Sequence, residues 1–279
     1  MKPSIMQPAA QMMLFCFLLT CGAGRLLGSE SWTNSLGMGF VPVAGTQVWF
    51  AIYETRVRDF AAYAATQPRL DGTNWGHARY HGVTPVSMGP DYPVVEVSWN
   101  DAQGFCRWLT QTERAAGRLP ADMKYRLPTD AEWSWAVGIG GQETGATPRE
   151  KNARIPEVFP WGTQYPPPPG AGNFADLAAL NYFTNWPHIE GYNDGFVTTA
   201  PVGSFRPNAL GLYDLAGNAM EWCEDRYDPA HDQRVLRGGA WINCGPKSLL
   251  SSYREHTGAA RHSVATGFRC VRAMGRDTE

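Results

Sequence analysis

Charge is sparse in this chain, and neither sign gathers into a run. Lysine and arginine total 24 against 26 acidic residues, for a formal net charge of -2. With no basic patch, nucleic acid is excluded as the main partner. Histidine is scarce as well, and His77, His81, His188, His231, His256 and His262 show no zinc spacing. No Gly-x-Ser-x-Gly elbow of a serine hydrolase is present. Gly138-Ile139-Gly140-Gly141 lacks the Gly-Lys-Ser/Thr continuation that a phosphate loop needs. Beyond the first 30 residues no apolar run is long enough to cross a bilayer. There is no internal repeat and no linker, so residues 31–279 read as one domain.

Glycine (30), proline (21) and tryptophan (11) are abundant instead. The first two punctuate a chain into turns, and the third anchors a core where regular elements are short. The expectation is a globular, loop-rich protein. Residues 1–30 read as an export signal: Lys2, then the short apolar run Met12 to Thr20, then small residues at Gly22-Ala23-Gly24. Leu18-Leu19-Thr20-Cys21 approaches a lipobox, so a lipid anchor at Cys21 is the alternative to a freely soluble form. The expected location is the periplasm, and the expected state a monomer. Without Cys16 and Cys21, four cysteines remain at 106, 223, 244 and 270, which pair in three ways.

Apolar residues on both sides of Ala44-Gly45-Thr46 predict a strand pair over 40–52. A helix follows over 58–65, with Val57, Phe60, Ala61 and Ala64 on one face. Residues 67–92 read as a surface loop. Ser98 caps a helix from Trp99 to Ala116 whose inner face carries Ala102, Phe105, Cys106 and Leu109. Thr129 and Glu132 form a capping box for a third helix, with Trp133 and Ala136 inward. From 138 to 200 little regular structure is expected, with Pro166 to Pro169 a stiff spacer.

Five motifs stand in order along the chain: Pro93 to Trp99, Tyr125 to Trp133, Asn208 to Trp222, Arg234 to Trp241, and Gly267-Phe268-Arg269-Cys270. Together, from about Gly37 to Arg272, they resemble the formylglycine-generating enzyme (sulfatase-modifying factor) family. The resemblance implies a single α+β domain with C-type-lectin-like topology and low regular secondary structure. It also implies a Cys106–Cys270 bridge, leaving Cys223 and Cys244 as a second bridge or as buried thiols. It further implies two structural calcium ions. One would take Asn173, the Phe174 carbonyl, Asp194 and the Phe196 carbonyl. The other would take Asp214, the Gly217 and Ala219 carbonyls, and Glu221. Oxygen donors of this kind suit calcium.

Active family members oxidise a peptide cysteine to formylglycine with O2 and Cu(I) held by two thiolates. In the family pattern those thiolates follow a Gly-Gly-Ser motif, about five residues apart. Here Ala240 replaces the serine, Met220 a tryptophan, and Asn243 the first cysteine, and 245–252 contain no cysteine. A linear two-sulfur site cannot form, so copper is not expected. A relocated pair at Cys223 and Cys244 is the one rescue. Exported relatives without the pair include the pyoverdine-maturation oxidases, which act on a tyrosine-derived chromophore. Likeness to that group implies a divergent periplasmic oxidase acting on a peptide or siderophore precursor, with Glu255 or His256 as catalytic base. The competing reading is a binding module on the same fold. Its ligand surface would draw on Trp241, Tyr253, Arg254, His256, Arg261 and His262. A deep cleft near Trp241, Met220 and Cys244 would favour an enzyme or ligand binder. A filled site there would favour protein contact or a structural role.

Overall fold

A computed structural model describes residues 31–70 and 74–275. The expected export signal, with Cys16 and Cys21, lies outside the described residues. In chain order the elements are β1 (Trp32–Thr33), β2 (Gly39–Pro42), β3 (Val48–Ala51), α1 (Val57–Ala64), β4 (Arg79–Tyr80) and β5 (Thr84–Pro85). Next come α2 (Trp99–Ala115), β6 (Met123–Arg126), α3 (Asp130–Ala136), α4 (Pro148–Lys151) and α5 (Leu177–Tyr182). The chain ends with β7 (Met220–Arg226), β8 (Gln233–Arg237), β9 (Glu255–Gly258), β10 (Thr266–Gly267) and β11 (Val271–Met274).

This is the loop-rich α+β domain expected. One antiparallel sheet runs β1-β2-β3-β11-β6, so the last strand closes between early ones. A second runs β10-β7-β8-β9, with β10 parallel to β7. β4 and β5 form a separate ribbon. The helix caps form as the sequence predicts: the Ser98 hydroxyl accepts from Asp101 N–H, and Thr129 from Glu132 N–H. Two details differ. The 67–92 loop contains the β4–β5 ribbon, and 138–200 contains the short α4 and α5. The inner face of α1 is also rotated. It buries Phe60, Tyr63 and Ala64, while Ala61 is only half-buried. Tyr63 wins because it packs edge-on against both Phe60 and Phe105.

The largest core cluster joins α1, α2 and the inner faces of both sheets around Phe60, Phe105, Trp222 and Phe268. A second gathers Phe50, Trp133, Cys223 and Val271. A third, smaller cluster holds Phe159, Phe174 and Tyr192 under the long loops, with Cys244 at its margin. The fully buried tryptophans keep their N–H groups bonded, as low-dielectric surroundings require. Trp222 donates to the Val97 carbonyl at 3.0 Å and Trp241 to that of Val264 at 3.1 Å. Among the described residues no helix is long and apolar enough to cross a membrane.

Candidate functional site

The turn after β8 brings Gly238 to Trp241 beneath the segment preceding β10. Ala240 is fully buried, and Trp241 is 1% exposed. Asn243 closes this turn on itself: its Oδ1 accepts the Ala240 N–H at 2.8 Å, and its own N–H donates to the Ala240 carbonyl at 2.9 Å. The Ser248 hydroxyl donates to the Gly245 carbonyl at 2.7 Å. Two polar side chains that could have faced a ligand are thus taken up locally.

Aromatic rings cover the turn. Tyr80 of β4 stands edge-on to both Trp186 and Trp241, with centroids 5.4 and 5.5 Å away. Trp186 lies parallel to Trp241, and Phe183 packs against Trp186. Sequence reasoning missed this cover, because Phe183 and Trp186 sit in a loop without periodicity. Two cavities of about 310 and 690 Å³ lie elsewhere and include neither Ala240, Trp241 nor Cys244.

Cys223 and Cys244 do not meet. Cys223 is buried on β7 in the second cluster, while Cys244 borders the third, and both are free thiols. Burial pushes both thiols up, most strongly Cys223, which disfavours the thiolate that copper would need. The relocated pair therefore does not form. Cys106 and Cys270 do meet: their Sγ atoms lie 3.5 Å apart in the main core, as free thiols. A bridge requires about 2.05 Å.

Two expected surface contacts are buried. Trp241 forms core, as described. Arg254 is 1% exposed, because a charge network holds it. Its guanidinium grips Asp130 at 3.0 and 2.9 Å and Glu143 at 2.5 and 2.7 Å. Arg237 reaches the same Asp130 at 2.5 Å and the Ser134 hydroxyl at 3.0 Å. Burial alone would raise the Asp130 carboxyl, but the two guanidiniums outweigh it and hold it below the ordinary value. Tyr253 and His256 are half-buried, and Arg261 and His262 exposed. His262 Nε2 lies 3.1 Å from the buried Asp101 carboxylate at the start of α2.

Glu255 and His256 open β9. Glu255 is 42% exposed; it accepts the Tyr253 hydroxyl at 2.8 Å and pairs with neither Arg254 nor Arg261. His256 stacks flat on Tyr227, centroids 3.9 Å apart. Successive strand residues face opposite sides of a sheet. Here, however, Glu255 folds back, accepting the His256 N–H at 3.0 Å with its Oε1 3.9 Å from His256 Nδ1, so the two candidate bases stay adjacent while the His256 ring is also held by stacking.

The proposed calcium ligands were tested by their unmet bonding. Asn173 is fully buried; its amide N–H donates to the Thr198 carbonyl, but its Oδ1 has no partner. Next to it, Asp194 accepts the N–H groups of Phe174 and Phe196, each at 2.8 Å. Its own N–H donates to Asp176. Burial drives the Asp194 carboxyl up to about 8, against those hydrogen bonds and with the Asp176 charge adding to the rise. An uncompensated acid beside an orphaned amide oxygen fits a cation site. Phe174 and Phe196 turn N–H groups, not carbonyls, to Asp194.

The second set fits less well. Asp214 keeps one orphaned buried oxygen, and burial lifts its carboxyl to about 6. Glu221, however, is held by Arg269 at 2.6 and 2.8 Å and by the Trp133 N–H at 2.9 Å. Glu54, which sequence reasoning passed over, completes this region by accepting the Asn218 amide and the Ala219 N–H. The loops that carry both sets touch where Asn173 bridges Gly217. A Cβ on Gly217 would strike the Asn173 carbonyl, and its φ of 80° suits glycine.

Residues 30–274 match the Sulfatase-modifying factor enzyme 1-like domain. The chain belongs to this family. It is 32% identical over 244 residues to the "Inactive C-alpha-formylglycine-generating enzyme 2" of Bos taurus, covering 82% of this chain and 68% of that one. It is 34% identical over 236 residues to the formylglycine-generating enzyme of Streptomyces coelicolor, covering 76% and 62%. In fold it is similar to the solved structure of PvdO from Pseudomonas aeruginosa, with a TM-score of 0.57 at 19% identity over 88% of this chain and 98% of that one. The family thus contains both active and inactive forms. This member has no thiol at Ala240, Asn243 or Ser248.

Proposed function

We propose that this protein does not generate formylglycine by copper–thiolate oxidation and acts as an exported, non-catalytic protein-binding member of the family. The closed turn at Ala240–Trp241 carries this reading, since the Asn243 amide caps Ala240 and aromatic rings seal the floor. Purified mature protein, given Cu(I), O2 and a sulfatase-type cysteine peptide, is expected to yield no aldehyde by mass spectrometry. Aldehyde formation with stoichiometric copper would overturn the reading. Calcium at Asn173 and Asp194, with a second ion at Asp214, and a Cys106–Cys270 bridge formed in the periplasm belong to the same proposal. Calcium would supply the positive charge that the buried Asp194 and Asp214 lack; the chain's own part is to present their oxygens.

A second reading, a divergent oxidase of a peptide or siderophore precursor, keeps one supporting observation: Glu255 is solvent-facing, free of arginine, and oriented by Tyr253. On that reading Glu255→Gln lowers turnover of a phenol-bearing peptide by about 10²-fold or more, the scale of general base catalysis. Equal rates in mutant and wild type would remove Glu255 from the chemistry.

A further inference from the structure

The cavity of about 690 Å³ is a groove between the start of α1 and the β4–β5 ribbon, far in character from the sealed turn. Its ionisable lining residues are Arg58, His77 and Arg79, with no carboxylate among them. That is unusual in a chain of net charge -2. Asp91 pairs with Arg58 at 2.8 Å from outside the lining. Arg79 gives one Nη1 hydrogen bond to the Val83 carbonyl and has no acidic partner among the described residues. His77 has no side-chain partner there either.

The walls between these groups are apolar, with Val57 and Ala61 on one side and Met88 on the other. Met88 is 58% exposed, and Val83 at the ribbon turn 69%. Met88 lines the groove, whereas Val83 lies outside its lining. A two-stranded ribbon is marginal by itself. This one is anchored on its inner side, where the Thr198 and Thr199 hydroxyls donate to the Val86 carbonyl. The anchoring keeps the groove wall in place. The groove is also within the size range of ligand sites.

We propose that this groove binds an extended acidic peptide, with carboxylates at Arg79 and His77 and an apolar side chain against Met88, Val57 and Ala61. Charge complementarity selects the sign of the partner. The apolar wall, where flexible methionine adapts to varied shapes, selects a peptide over a bare anion. The inference goes beyond the proposed function, because it places the partner on a surface that neither the copper chemistry nor Glu255 would use.

The test is fluorescence anisotropy on the whole mature protein with a fluorescein-labelled pentapeptide of four glutamates around a leucine. Saturable binding is expected, weakened by salt. Arg79→Glu should weaken it about tenfold or more, since like charges are brought together. Met88→Glu should weaken it comparably, and both side chains are exposed enough to leave folding intact. Arg226→Glu makes the same charge change on β7 and should have little effect. No binding, or equal loss in Arg226→Glu, would overturn the proposal. So would full competition by inorganic phosphate, which would mark an anion site, or equal binding of a glutamine analogue of the peptide. The aldehyde assay is unaffected by these variants, so the two readings fail separately.

Discussion

Replacing Asp130 with alanine is expected to cost about 3–5 kcal/mol or more, the scale of breaking a buried ion pair. Asp130 neutralises two guanidiniums at once, and both Arg237 and Arg254 are fully buried as side chains. After the substitution Glu143 still holds Arg254, whereas Arg237 keeps the Ser134 hydroxyl, carbonyl oxygens and the face of Trp133 but no carboxylate. Global stabilities of about 5–15 kcal/mol leave little margin for such a loss. Urea titration followed by tryptophan fluorescence is the measurement. If Asp130→Ala unfolds within about 1 kcal/mol of wild type, the network contributes nothing net. Asp130→Asn keeps the shape and an acceptor oxygen, so it should fall between the two. The pH dependence has a definite sign. The folded Asp130 carboxyl is held below its ordinary value, so its contribution is present above the usual carboxylate range and is lost as pH falls through the folded value.

Asp194 should show the opposite pH signature in the absence of calcium, and calcium should reverse it. Without a cation the folded carboxyl titrates at about 8, above the roughly 3.9 of an exposed aspartate. A raised carboxyl contributes stability below the unfolded value and loses it as pH rises towards the folded one. In chelator, stability should therefore decline from about pH 4 to about pH 8. Calcium binds the ionised form, so its stabilising effect should grow across the same window, with protons released on binding. Each kcal/mol gained should raise Tm by about 2–4 °C in a domain of this size. Calorimetry at several pH values, with calcium and with chelator, reads this directly. Asp194→Asn should remove this site's share of the calcium increment and lessen the decline in chelator, leaving the share that Asp214 carries. A calcium-insensitive Tm at pH 8 would sink the site.

Much of the scaffold could be read from the residues. The Ser98 and Thr129 caps, the inner face of α2 and the β2–β3 pair all depend on local periodicity and hydrogen bonding, which a sequence displays. The family followed from motifs that map onto the core: Trp222, Trp241, Phe268 and Arg269 are buried, and Arg269 exists to hold Glu221. The site was less legible because its decisive contacts are non-local. Nothing near Arg254 in the sequence announces Asp130 or Glu143. Nothing near Trp241 announces Tyr80 or Trp186. Arginine in a loop reads as surface by default, and only the distant carboxylates turn it inward. Strand alternation would separate Glu255 from His256, yet the Glu255 side chain folds back to 3.9 Å from His256 Nδ1, which no periodicity displays.

The position of β11 sets a timetable for the whole molecule. Phe50 pairs with Val271, and Met123 with Met274. Until the final strand leaves the ribosome, β3 and β6 each present an open edge, and the central sheet cannot close. Contacts between such distant segments slow folding and prolong the exposure of unpaired edges. A chain built this way stays unfinished until β11 has been made, a state in which two sheet edges are open to any pairing. It is also the state in which truncated products would aggregate.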